Sequence, residues 1–252
     1  MRIFAVSDIH VDYEANLNWV KQLSVYDYQE DILILAGDVT DFPAILAEAF
    51  QLLRARFAEV LFVPGNHDVW VHRSKETDSF EKLKLVNHIA REEGVIQQPL
   101  LMKGLYLLPL LGWYDYTFGP KTEYLSNAWM DFYGCKWQGR DEAWLTSWFL
   151  SQNKLEIPDT ARSVITYSHF LPRIDVQPDF IPPKHQRVYP VLGSSRIDQQ
   201  IRQCGSTMHV YGHSHVNRHV TIDGVTYINN AFGYPSETRI TAKTLRCLTE
   251  LS

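Results

Sequence analysis

The chain has 252 residues, 45% of them hydrophobic and 21% charged, with a formal net charge of −5. That length suits one large layered domain over 1–252, and no apolar run is long enough to span a bilayer. The acidic balance argues against a protein that coats long nucleic acid, and Cys135, Cys204 and Cys247, scattered without C-x-x-C pairing, fit reduced thiols in a cytoplasmic protein.

The opening MRIFAVSD has no charged leader and no small-residue cleavage site, so no targeting segment is expected. It reads instead as a buried strand, as do DILILAGD and EVLFVPGN further on. Between these last two, Pro43 to Phe57 carries a helical stripe of Ile45, Ala49, Leu53 and Phe57, with Pro43 suited to the first turn. A second helix is expected over Glu76 to Glu93, ended by Gly94, and a third over Asp141 to Asn153. GLYLLPLLG, SVITYSH, MHVYGHSH and VTYINN complete the strands. The early alternation of strand and helix implies crossovers and parallel pairing, whereas the later strands are expected to pair antiparallel. The whole reads as a mixed, layered α/β fold.

Ligand-type residues follow these strands one after another. Asp8 and His10 follow the first run, Asp38 the second, Asn66 and His67 the third, His169 the SVITY run, and His213 and His215 the HVY run. In open α/β sheets the carboxyl ends of strands are where sites assemble, so residues far apart in sequence become candidates for one pocket. Singly, each has a plainer reading: a chance D-x-H, a polar turn with a capping Asp, a Pro-Gly turn, a core histidine. Two imidazoles one residue apart, as in H-S-H, point to opposite faces of an extended strand, so His213 and His215 belong where strand becomes loop. The joint arrangement is what carries weight.

In this order the residues resemble the calcineurin-like metallophosphoesterase family: D-x-H at Asp8–His10, G-D-x-x-D at Gly37–Asp41, G-N-H-D at Gly65–Asp68, the lone His169, and G-H-x-H at Gly212–His215. The resemblance implies a four-layer α/β/β/α sandwich of two mixed sheets, with a two-metal site at the carboxyl ends of the strands. It implies that Asp8, His10, Asp38 and His215 hold one metal, and that Asp38, Asn66, His169 and His213 hold the other. His67 would face the phosphate, stabilising charge or protonating the leaving oxygen, with Asp68 orienting its ring.

The chemistry is coherent on its own terms. Two cations about 4 Å apart need a bridging anion, which Asp38 could supply, and a hydroxide shared between them would be the nucleophile that attacks phosphorus. Histidine, aspartate and asparagine donors without thiolate suit two divalent or trivalent transition-metal ions, Mn, Fe or Zn, better than Ca or Mg. The expected activity is hydrolysis of a phosphodiester or phosphomonoester of a small or nucleotide-like molecule. The alternative is a phosphoesterase-fold scaffold that binds without catalysis. Eukaryotic-type Ser/Thr protein phosphatases carry Asp-Arg-Gly in the second motif and Glu after G-N-H; Phe42–Pro43 and Asp68 stand here instead, which disfavours that branch. Residues 113–137 hold nine aromatics, among them Trp113, Tyr114, Tyr116 and Trp129, expected mainly as packing, with a stacking platform for substrate as the other reading. The Pro-rich stretch 173–190 offers His185 and Arg187 as further substrate contacts. Nothing in the sequence indicates an oligomeric state.

Overall fold

The computed structural model describes residues 1–251; Ser252, the end of the expected domain, lies outside them. In chain order the strands are β1 (Arg2–Val6), β2 (Ile32–Leu35), β3 (Glu59–Phe62), β4 (Leu100–Met102), β5 (Leu105–Pro109), β6 (Ser163–Tyr167), β7 (Met208–Tyr211), β8 (Arg218–Ile222), β9 (Val225–Asn229) and β10 (Arg246–Glu250). The helices are α1 (Glu14–Gln22), α2 (Pro43–Arg54), α3 (Ser79–Glu92), α4 (Glu123–Ala128), α5 (Asp131–Gly134), α6 (Glu142–Leu150), α7 (Pro183–Gln186) and α8 (Ser195–Gln203).

Two mixed sheets result. The first runs β10-β1-β2-β3, with β1, β2 and β3 parallel and β10 antiparallel at the edge. The second runs β4-β5-β6-β7-β9-β8. The alternation of side chains along each strand makes the layers. From β1, Ile3 and Ala5 join Leu107, Ile165 and Val210 of the second sheet in a core between the sheets. Phe4 and Val6 instead join Leu46, Phe50 and Leu53 of α2 and Val86 of α3. On the far side, Tyr106, Leu108 and Val164 pack with Leu145 and Phe149 of α6 and Ile197 and Ile201 of α8. Helix, sheet, sheet and helix stack in the expected four layers.

The pairing expected of the later strands needs correction. β5, β6, β7 and β9 are mutually parallel, and antiparallel pairing in this sheet is confined to its edges, β4 with β5 and β8 with β9. The cause lies in the connections: α6 precedes β6 and α8 precedes β7, so both are crossovers. Helix limits also shift. α2 stops at Arg54, short of Phe57, and α3 starts at Ser79 because the Asp78 side chain caps it, accepting the N–H groups of Phe80 and Glu81 at 2.9 and 3.0 Å. Asp141 caps α6 in the same way through Trp144 N–H at 2.7 Å. Among the described residues, no helix is long and apolar enough to cross a membrane.

Candidate metal centre

Every strand that carries a sequence-predicted site residue ends at the same edge of the sandwich, and the chain turns sharply there. Asp8, His10, Asp38, His213 and His215 all adopt the left-handed backbone region, with φ from 38° to 68°. Non-glycine residues enter that region at a cost, and such strain gathers at functional sites. The motif glycines are required by close approach: a Cβ at Gly37 would lie 2.5 Å from His169 Nδ1, and one at Gly65 would run into the Asp38 carboxylate.

The donors meet in two groups. In one, His10 Nε2 and His215 Nε2 are 3.1 Å apart, and Asp8 Oδ1 lies 3.3 Å from His215 Nε2. In the other, His169 Nε2 lies 3.1 Å from His213 Nδ1, 3.0 Å from Asn66 Oδ1 and 3.4 Å from Asp38 Oδ2. Asp38 also groups with His10 and His67, so its carboxylate stands between the two clusters. The H-x-H pair therefore divides as the turn requires, His213 into one cluster and His215 into the other.

The outward nitrogens of three histidines are committed. His169 Nδ1 faces Ala36 O at 3.0 Å, His213 Nε2 faces Val191 O at 3.1 Å, and His215 Nδ1 faces a Glu237 oxygen at 2.7 Å. If each of these nitrogens holds the proton and donates it, the inward nitrogen keeps a bare lone pair. In the His169–His213 pair the two inward nitrogens, 3.1 Å apart, would then present lone pairs that repel unless a cation lies between them. Nitrogen and carboxylate donors in that relation fit transition-metal ions. Burial strengthens the case. It depresses His213 to about 3, and it holds His10 well below the ordinary histidine value. Burial alone would raise Asp38, but the facing His169 and His67 imidazoles hold it well below the ordinary carboxylate range. Burial likewise opposes charge on His169, yet Asp38 pushes that imidazole up to about 9. Without an ion, Asp38 thus draws a proton onto His169, and Asp8 does the same, against burial, for His215, raised to about 10; a cation bound among these donors would take the place of those protons.

His67 lies outside both donor clusters and lines the cleft above them. Its ring stacks on Trp70 with centroids 3.6 Å apart, its backbone N–H donates to Asp38 Oδ1 at 2.9 Å, and its ring Nε2 is 3.9 Å from Asp38 Oδ2. The ring-orienting role expected of Asp68 is corrected: its carboxylate accepts backbone N–H groups from Asp38, Val39, Thr40 and Gly65 at 2.8 to 3.0 Å. It ties the second and third motif loops together, and Trp70 sets the plane of His67. Asp41 also points away from the cluster, paired with Arg73 at 2.6 Å.

Several contributors have no sequence motif. Asp131, 3% exposed, accepts from Asn66 Nδ2 at 2.8 Å, Trp70 Nε1 at 2.7 Å and Trp129 Nε1 at 2.9 Å. Glu237 holds His215, and Tyr234 stacks on His10 with ring centroids 4.5 Å apart. A cleft of about 570 Å³ opens at Asp38, His67 and His213, lined also by the apolar Trp129, Phe180, Ile181 and Leu192 and by Lys184 and His185. The aromatic segment divides: Trp113, Tyr114 and Trp137 are buried in the core, as expected of packing residues, while Tyr124 and Trp129 line the cleft. Of the two proposed loop contacts, His185 lines the cleft and Arg187 lies over the Tyr124 ring at 5.4 Å.

A two-sheet sandwich with histidine, aspartate and asparagine donors converging at its strand ends defines a metallophosphoesterase. The chain belongs to the calcineurin-like phosphoesterase family, whose model matches residues 1–217, and it is accordingly a metal-dependent phosphoric ester hydrolase. It is 26% identical over 274 residues to the [acyl-carrier-protein] phosphodiesterase PptH of Mycobacterium tuberculosis, covering 94% of this chain and 79% of that one. The crystal structure of the phosphopantetheinyl hydrolase PptH from the same organism superposes with a TM-score of 0.81 at 23% identity, covering 98% of this chain and 95% of the other.

Proposed function

We propose that the chain is a phosphodiesterase that works with two transition-metal ions, Mn, Fe or Zn, and that residues 1–252 act as one catalytic domain. Asp8, His10, Asp38 and His215 would hold one ion and Asp38, Asn66, His169 and His213 the other. The observation that carries this reading is the convergence of two donor groups, each with histidine nitrogens 3.1 Å apart, with the Asp38 carboxylate between them. Bound there, the ions supply Lewis acidity toward a phosphoryl group and activation of water near neutral pH. The protein orients the donors, excludes water from the buried side of the cluster and presents His67 to the substrate. His67 Nε2 faces the cleft, where it is placed to give a proton to the departing oxygen.

For the substrate we propose a phosphodiester of the kind PptH is named for, a phosphopantetheinyl group on an acyl carrier protein. Supporting this are the relationship along nearly the whole chain and a cleft whose lining joins apolar side chains to the metal-ligand residues, able to take an uncharged arm beside a phosphate. The test is to incubate the Mn-loaded protein with a phosphopantetheinylated carrier protein and follow its mass. Loss of the phosphopantetheinyl group, abolished by chelator and restored by Mn, is expected. An unmodified mass beside brisk hydrolysis of small diesters would reject the carrier-protein reading and leave the phosphodiesterase. No hydrolysis of any phosphodiester would reject both.

A further inference from the structure

Residues 218–251 lie beyond the segment matched by the family model, yet they reach the site. Tyr234, Glu237 and Ile240 of this segment line the cleft. The backbone of Tyr234 is clamped on both sides: its N–H donates to Glu237 Oε2 at 2.7 Å, the carboxylate that also holds His215, and its carbonyl accepts from Lys243 Nζ at 2.7 Å. Its ring lies on His10 with an interplanar angle of 29° and meets His215 edge-on at 4.9 Å. A phenylalanine ring could make both ring contacts. The hydroxyl goes further, into the cleft, where it stands 3.5 Å from His67 Nε2. That separation is at the long limit of hydrogen bonding, so the hydroxyl keeps its capacity to donate to a ligand. A phenol stays protonated at neutral pH and can act there as a donor.

We propose that Tyr234 is a catalytic residue whose hydroxyl donates a hydrogen bond to a non-bridging oxygen of the substrate phosphoryl group, beside His67. The inference rests on the phosphodiesterase reading. In hydrolysis the oxygen of water forms the new P–O bond and the P–O bond to the alcohol breaks. The leaving alkoxide takes a proton from His67; of the two protons of the water, one stays with the phosphate product and the other, passed through solvent, restores His67. Tyr234 keeps its own proton throughout and holds the phosphoryl oxygen as its charge is redistributed. The ring's stack on His10 and the clamp by Glu237 and Lys243 fix the hydroxyl before substrate arrives, which is what makes such a donor effective.

The test compares wild type, Tyr234→Phe and Tyr234→Leu, each loaded with Mn, in metal content, turnover of a small phosphodiester and affinity for inorganic phosphate. Tyr234→Phe keeps the stack, so it should retain the metal content of the wild type while turnover falls roughly 10²-fold and phosphate binds more weakly. Tyr234→Leu, which loses the stack as well, should also lose metal. Wild-type turnover and phosphate affinity in Tyr234→Phe would overturn the proposal and leave Tyr234 a packing residue. Were the wild type inactive on every phosphodiester, the functional reading would fail by itself, and the phosphate titration of wild type against Tyr234→Phe would still decide the role of the hydroxyl.

Discussion

Asn66 donates its side-chain N–H to Asp131 Oδ1 at 2.8 Å, and this one bond decides which way the Asn66 amide faces. A carboxylate only accepts, so the amide must turn its nitrogen to Asp131 and its oxygen to His169 Nε2, 3.0 Å away. Asp131 also accepts from Trp70, on which His67 stacks. One buried carboxylate in the aromatic segment thus positions a donor of the proposed metal cluster and the proposed acid.

Asp131→Ala should therefore lower retention of the ion on the Asn66 side by about 10–100-fold, because the amide loses the partner that fixes it. Stability should fall too, since the buried N–H donors of Asn66 and Trp70 lose their acceptor, at about 1–3 kcal/mol each when unpaired, and the part-buried Trp129 indole loses it as well. Elemental analysis after dialysis, beside a thermal melt, checks both. Metal content and melting temperature like those of the wild type would show that Asn66 is held some other way.

Asp38→Asn should damage the site more than Asp8→Asn. Asp38 groups with His169 and His213 on one side and with His10, a member of the other cluster, and His67 on the other, whereas Asp8 groups with His10 and His215 alone. The expected result after dialysis is loss of both ions from Asp38→Asn and partial retention in Asp8→Asn. Equal retention in the two variants would refute a bridging Asp38.

His67→Ala should leave metal content nearly intact while turnover drops by about 10²–10⁴-fold. The loss should be greatest for diesters with basic leaving alkoxides and least for nitrophenolate, since a good leaving group needs little protonation. A loss that is uniform across leaving groups would make His67 a charge stabiliser and remove the acid role.

His209, fully buried between Thr166 Oγ1 at 2.8 Å and Ser168 Oγ at 3.0 Å, predicts part of the acid limit of stability. Burial depresses its pKa to about 3 from an ordinary 6.5. Between those values the unfolded chain binds a proton that the folded chain does not, so stability falls as pH falls from 6.5 toward 3. The slope owed to this residue is about 1.4 kcal/mol per pH unit. Denaturant melts of wild type and His209→Gln from pH 7 to 4 should show a shallower acid decline in the variant. Parallel declines would mean that His209 is protonated in the fold.

The donor set was legible because each member sits within a few residues of a strand exit, where apolar run and polar motif appear together in the sequence, as in Leu35 to Asp38 or Phe62 to Asn66. The residues that orient those donors were not legible. Asp131 is 65 positions from Asn66, and Glu237 is 22 from His215 in a turn without a motif, so only the folded chain relates them. A weak signal for Asp131 existed in its place among Trp129, Phe132 and Tyr133, where a buried carboxylate can find indole donors. The parallel order of the second sheet was hidden by α8, whose sequence SRIDQQIRQ buries Ile197 and Ile201 among otherwise polar residues. Asp68 was misread because a carboxylate beside a histidine in sequence suggests a dyad, whereas the turn sends it toward four amides.

If two ions share Asp38, anomalous diffraction from a crystal grown with Mn should show two peaks about 4 Å apart. One should be bounded by Asp8, His10 and His215, the other by Asn66, His169 and His213, with the Asp38 carboxylate touching both. A single peak, or two peaks of which only one contacts Asp38, in crystals of protein that hydrolyses phosphodiesters would contradict a shared Asp38.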